Sequence, residues 1–170
     1  MISDSVRRWI IPLSLLIFFF FLPLQCFIIG DDQGFGIQGA VYRYQITGSG
    51  ISLIPITYEI GYVNSGIYSG KTAVSVILWV AGTFVLMCTI LLSLFFTNRI
   101  NPVILQFTIV GISSCCILYL GSLVFQYGIF FFGSAGISLP AGILIMALFA
   151  VLLYGNENSF LETNNFSVAD

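Results

Sequence analysis

Long uninterrupted runs of apolar residues dominate the pattern of this chain. Four of them cover residues 9–29, 73–97, 103–125 and 134–154, and none contains Asp, Glu, Lys or Arg. A helix needs about 20 apolar residues to cross about 30 Å of hydrocarbon. The pattern therefore predicts an α-helical membrane protein in which residues 1–155 form a four-transmembrane-helix bundle.

The first and fourth runs each allow more than one structural interpretation. The first run continues past Cys26 without a small-residue cleavage site, which favours a retained helix over a cleaved signal or a lipoprotein anchor. In the fourth run, Pro140 begins or bends a helix. We expect a helix from about residue 134, bent near Pro140, rather than a shorter one that Ser138 caps.

Between the first two runs, residues 30–72 change to a period of two with glycine-rich turns. This pattern predicts a small antiparallel β-hairpin or meander, in which residues 40–47 pair with 53–63 and a short strand follows at 67–69. Pro55 belongs at an edge. The alternating side chains form a candidate interaction face, either a lid on the bundle or a surface for a partner: Tyr42, Tyr44, Ile56, Tyr58, Ile60 and Tyr62.

Positive charges beside the runs predict the orientation. Arg7 and Arg8 precede the first run and Arg99 lies between the second and third. We therefore expect a multi-pass protein of the cell membrane with both termini cytoplasmic, an extracellular segment 30–72 and a flexible acidic tail 156–170.

Small residues recur at spacings of three and four along the third run. In lipid, such residues allow helices to approach closely. The predicted helix-packing positions, for contacts within the chain or with another subunit, are Gly82, Gly111, Ser114, Cys115, Gly121, Ser122 and Gly142.

Composition narrows the classes of function. The 170 residues are 58% hydrophobic and 7% charged, contain no histidine and carry a net charge of −2. Mean hydropathy is +1.05. Five basic residues do not indicate nucleic-acid binding. The four cysteines do not match a metal site, so we expect no catalytic residues, cofactor or metal. Asp31, Asp32 and Glu59 fit either an outer cation site or a solvated acidic turn.

The order of four predicted helices, a β-rich first outer segment and a tight inner turn resembles the tetraspan group that includes claudins and peripheral myelin proteins. The claudin signature of tryptophans and two cysteines is absent from residues 30–72. The run Gly70–Thr83 also resembles uncharacterised archaeal four-span proteins.

These observations predict a non-catalytic membrane protein. Its expected role is an accessory subunit or an organiser that contacts lipid and other membrane proteins through its helices and outer β-segment. The alternative is a homo-oligomeric passive channel or pore. An enzyme is the third hypothesis, because no base accompanies the acidic residues outside the apolar runs.

Overall fold

The computed structural model describes residues 4–30, 34–95, 102–133 and 135–166. Its helices are α1 (Asp4–Phe20), α2 (Ile56–Asn64), α3 (Gly70–Phe95), α4 (Pro102–Tyr127) and α5 (Ala141–Phe166). Its strands are β1 (Gln25–Ile29), β2 (Gly34–Gln38), β3 (Tyr42–Thr47), β4 (Gly50–Pro55), β5 (Phe132–Gly133) and β6 (Gly136–Leu139).

The predicted four-helix membrane bundle is wrong. The described residues form five helices and one six-stranded antiparallel sheet in the order β4-β3-β2-β1-β6-β5. Within the described part of the chain, only the segments Gly70–Leu94 and Val103–Tyr127 are helices long and apolar enough to cross a membrane. They correspond to the second and third predicted runs.

The first and fourth runs each divide into a helix and a strand. Helix α1 accommodates Pro12 in its interior but ends at Phe20, before Pro23, which lacks an N–H donor and disfavours a helical residue before it. The residues after it form β1, which pairs with both β2 and β6. In the fourth run, Pro140 disfavours a helical residue before it. Helix α5 therefore begins only at Ala141, and Ser138 lies in β6 rather than at a helix cap.

The segment between α1 and α3 does contain an antiparallel hairpin, but its second strand and its length differ from the prediction. Strand β3 pairs with β4 across Gly48 and Ser49, from Tyr42 opposite Pro55 to Thr47 opposite Gly50. Pro55 ends the edge strand β4 and begins α2 as its N-cap residue. Residues 56–63, predicted as strand, are helical, and residues 67–69 form no strand.

The error over α2 has a physical cause. Ile56, Ile60 and Val63 are partly buried and Glu59 is fully buried, so the inward positions follow a spacing of three and four. A different set over the same stretch, Ile56, Tyr58, Ile60 and Tyr62, follows a period of two, which is the pattern that predicts a strand. Pro55, immediately before this stretch, favours the start of a helix over the continuation of the strand.

The sheet lies beside the helical hairpin formed by α3 and α4. The turn between β2 and β3 contacts α3 near its middle, where Trp79 and Thr83 donate hydrogen bonds to the carbonyls of Gly39 and Ala40. The start of α5 lies beside the middle of α4, because the Cys116 thiol approaches the Ile143 carbonyl at 3.8 Å. The main core joins all these elements through Leu15, Leu24, Trp79, Leu86, Ile112, Tyr119, Ile143 and Met146.

Candidate functional site

A row of polar side chains crosses the inner face of the sheet. Gln25, Gln38 and Arg43 lie opposite one another on β1, β2 and β3. The Gln25 amide nitrogen donates to the Gln38 side-chain oxygen at 2.7 Å, and Ser138 on β6 donates to the Gln25 oxygen at 2.6 Å. Antiparallel pairing places directly opposed side chains on the same face, which is why three distant positions of the chain meet here.

Arg43 connects this row to α2. Its Nε and Nη2 atoms donate to the Gln38 oxygen at 3.3 and 3.1 Å. Its Nη1 atom lies 3.1 Å from Oε1 of Glu59, whose side chain is 0% exposed. A buried carboxylate is costly unless a cation accompanies it. The Arg43–Glu59 pair therefore fixes α2 against the sheet.

Aromatic rings surround the guanidinium. The Arg43 Cζ atom lies 5.9 Å from the centroid of Phe27 and 5.7 Å from that of Trp79. Both distances are within the range of a cation–π interaction. Trp79 also donates its Nε1 proton to the Gly39 carbonyl at 3.1 Å, so the same ring holds the β2–β3 turn on α3.

Tyr68 lies between this site and the surface. Burial and then the negative charge of Glu59 raise the pKa of the Tyr68 phenol above its ordinary value, and the positive charge of Arg43 opposes the shift. The Tyr68 ring also contacts Tyr62 of α2 edge to face, with centroids 5.4 Å apart. The Tyr68 phenol therefore stays neutral at alkaline pH values at which an exposed tyrosine begins to ionise.

The carboxylate of Glu59 has an incomplete set of partners. Apart from the ion pair, neither oxygen accepts a hydrogen bond of good geometry from the described residues. In the same part of the chain, no three His, Cys, Asp or Glu side chains come close enough to hold a metal ion. Asp31 and Asp32 lie outside the described residues. Glu59 is engaged by Arg43 rather than by an outer cation, so the site acts chemically as an internal clamp.

The predicted helix-packing glycines lie at three different kinds of contact. A Cβ atom at Gly82 would lie 2.7 Å from the Tyr119 ring, and one at Gly111 would overlap the Thr89 hydroxyl. A Cβ atom at Gly142 would overlap the backbone carbonyl of Pro23, which is not part of a helix. Gly121 has room, since its Cβ atom would meet Leu78 at 3.4 Å.

The other packing positions lie between α4 and its neighbours. The Ser122 hydroxyl donates to the Ser75 carbonyl at 2.8 Å and lies 3.0 Å from the Ser75 hydroxyl. Cys115 is fully buried, whereas Ser114 is half-buried. The structure thus brings Gly82, Gly111 and Ser122 to the α3–α4 contact and separates Gly142 from them.

The predicted loop face is not one surface. Tyr42 and Tyr44 lie on β3, while Ile56, Tyr58, Ile60 and Tyr62 belong to α2. Tyr58 is 63% exposed, and with Thr57, Gly61, Tyr62, Ser65 and Ile67 it lines a shallow open groove. The tyrosines therefore divide between the sheet and this groove on α2.

Sequence reasoning missed the polar row itself. Gln25 was expected inside a membrane helix, and Gln38, Arg43, Glu59 and Ser138 had no predicted role in a common site. One signal was present: Arg43 and Glu59 are opposite charges in a segment with few others. Comparison with protein-family models, curated proteins and solved structures gives no match, so no relative supports the tetraspan resemblance or assigns a role to these residues.

Proposed function

We propose that this chain is a multi-pass protein of the cell membrane in which α3 and α4 cross the bilayer. The support is their length and composition, together with large apolar side chains that face away from the protein. Phe84 on α3 is 60% exposed and Ile117 on α4 is 70% exposed. Apolar surface of this extent is stable in lipid and costly in water.

The proposed orientation places both termini in the cytoplasm and the β-segment on the outer side. It is based on the order along the sequence, in which Arg7 and Arg8 precede the first apolar run and Arg99 falls between the second and third, whereas the segment 34–68 falls between the first and second. The exposed turn at Gly48 and Ser49 then belongs to the outer surface.

The proposed role is that of a non-catalytic accessory subunit or organiser. The observation that carries it is the Arg43–Glu59 pair, because the buried carboxylate and the guanidinium beside it are engaged with each other and hold α2 against the sheet. The hydroxyls of Ser75, Thr83 and Ser122 likewise bond one another or the backbone. A pore through one copy of the chain has no supporting contact among the described residues.

The groove on α2 is the proposed contact with another membrane protein. It combines exposed aromatic surface from Tyr58 with the hydroxyl groups of Thr57 and Ser65 and the apolar side chain of Ile67. Tyrosine is enriched at the centres of interfaces because its large ring also carries a polar group.

The test is purification of the tagged chain from its native membrane. The proposal predicts a second membrane protein at constant stoichiometry, whose recovery falls about tenfold in Tyr58→Ala, as expected for an interface residue. Ser49→Ala is the control, because Ser49 is also exposed but lies outside the groove. A symmetric assembly that contains this chain alone would contradict the proposal and favour the passive pore.

A further inference from the structure

The outer face of the sheet carries two apolar rows. The strand registers align Leu139, Cys26, Ile37, Tyr44 and Leu53 in one row and Phe132, Ile137, Ile28, Phe35, Ile46 and Ile51 in the other. We call these residues the apolar sheet face. None of them is charged, and their exposure reaches 63% at Leu53 and 70% at Ile51.

The two sides of this sheet have the reverse of the usual polarity. Antiparallel sheets in water normally direct apolar side chains to the core and polar ones to solvent. Here Gln25, Gln38, Arg43 and Ser138 lie on the inner side, where they bond one another. Their arrangement leaves the apolar sheet face without cover from the described part of the chain.

The contacts with the long helices set the depth of the sheet. Thr83, which bonds the β2–β3 turn, lies about 20 Å along α3 from Gly70 at 1.5 Å per residue. Cys116, beside the start of α5, lies about 16 Å along α4 from Tyr127. Strands β5 and β6 lead from the end of α4 at Tyr127 back to this level, where α5 begins. The sheet therefore runs alongside one half of each long helix.

The apolar parts of α1 and α5 occupy the other half. The apolar segments Trp9–Phe20 and Ala141–Gly155 are about 18 and 22 Å long, too short for a hydrocarbon layer of about 30 Å. Both segments are bonded to the sheet through Leu24, which follows α1. Leu24 donates its N–H to the Gln38 carbonyl on β2, and its carbonyl accepts hydrogen bonds from the N–H groups of Gly142 and Ile143 at the start of α5. The exposed sides of Ile17 and Phe20 on α1 and of Leu144 on α5 continue the apolar surface.

We infer that the apolar sheet face contacts lipid acyl chains in the outer half of the bilayer, so that the sheet completes the membrane thickness that α1 and α5 leave short. This inference rests on the proposed crossing of the bilayer by α3 and α4. The ladder hydrogen bonds satisfy the backbone of the inner strands, as lipid requires. The polar turn at Gly48 and Ser49 is the end of the β3–β4 hairpin farthest from Thr83 and lies at the headgroups, and Pro55 at the other end of the edge strand β4 has no N–H group to leave unpaired.

Photo-crosslinking in vesicles tests the inference. Benzoylphenylalanine replaces Phe35 on the apolar sheet face, Phe84 on α3 or Ser49 in the turn, and the purified chain is illuminated in phosphatidylcholine vesicles. The expected result is a mass increase of one phospholipid at positions 35 and 84 and none at 49. Ile137 provides a second position on the same face if the Phe35 variant does not fold.

The Phe84 variant separates the two possible failures. If position 84 captures lipid while position 35 captures a second copy of the chain or nothing, the apolar sheet face is not a lipid surface and the inference is overturned. If neither position 35 nor position 84 captures lipid, α3 does not cross the bilayer as proposed, and the inference is overturned together with that proposal.

Discussion

Arg43 and Glu59 lie 3.1 Å apart in the interior and join β3 to α2. The pair is buried together with a row of amides and flanked by Phe27 and Trp79. In a chain with five basic and seven acidic residues, one buried pair is a large share of the charge that is available. Its position decides how the sheet and α2 pack on the helices.

Removal of the Arg43 guanidinium while Glu59 remains should strongly destabilise the fold. In Arg43→Met the Glu59 carboxylate loses its charge partner, and we expect a loss of about 3–5 kcal/mol in the free energy of unfolding. The double variant Arg43→Met/Glu59→Gln should recover part of that loss, since no unpaired charge remains. Reversible unfolding in mixed SDS micelles measures both.

Lys71→Met is the control for the loss of one positive charge, because Lys71 is exposed. We expect a change within about 0.5 kcal/mol. Equal losses of stability in Lys71→Met and Arg43→Met would contradict the interpretation that the Arg43–Glu59 pair holds α2 against the sheet.

Tyr68 should make stability depend on alkaline pH. Its folded pKa is raised by burial and by Glu59, so the neutral phenol is favoured in the folded state. That contribution is fully present below the unfolded pKa of about 10 and is lost as the pH rises through the folded pKa. Tyr68→Phe should therefore lose less stability above pH of about 10 than the unmodified chain. Parallel unfolding curves at each pH test this, and identical pH profiles would refute it.

Two glycines of α4 should respond differently to the same substitution. A Cβ atom at Gly111 overlaps Thr89, whereas one at Gly121 reaches only ordinary contact with Leu78. We expect Gly111→Ala to destabilise by about 1–3 kcal/mol through overpacking. Gly121→Ala should be neutral or slightly stabilising, since alanine favours a helix. SDS-dependent unfolding of both variants gives the comparison, and a reversed order would exclude the described α3–α4 contact.

Gly142 should tolerate no side chain. It lies in the first turn of α5 against the Pro23 carbonyl, so Gly142→Ala must separate α5 from the end of α1. We expect loss of the folded monomer in mild detergent, seen as aggregation in size-exclusion chromatography. Gly61→Ala in α2 has open space around the new methyl group and should leave the monomer intact. A normal elution profile for Gly142→Ala would disprove the close approach of α5 to the chain between α1 and β1.

The sequence predicted the two long helices and an antiparallel hairpin after the first apolar run. It did not predict that residues 25–29 and 136–139 are strands, because an apolar run is compatible with a helix or with a strand buried on one side. Pro23 and Pro140 were the local signals for those boundaries. The polar row depends on pairing between strands as distant as β1 and β6, and no local pattern specifies such a register.

The central claim is that α3 and α4 cross the bilayer with the β-segment outside. Cysteines introduced at Ser49 and Ser159 test it directly, with a membrane-impermeant maleimide on intact cells and the unmodified chain as the control for the native cysteines. We expect Ser49→Cys to be labelled in intact cells and Ser159→Cys to be labelled only after permeabilisation. Protection of Ser49→Cys while Ser159→Cys reacts would invert the orientation, and labelling of both in intact cells would contradict it.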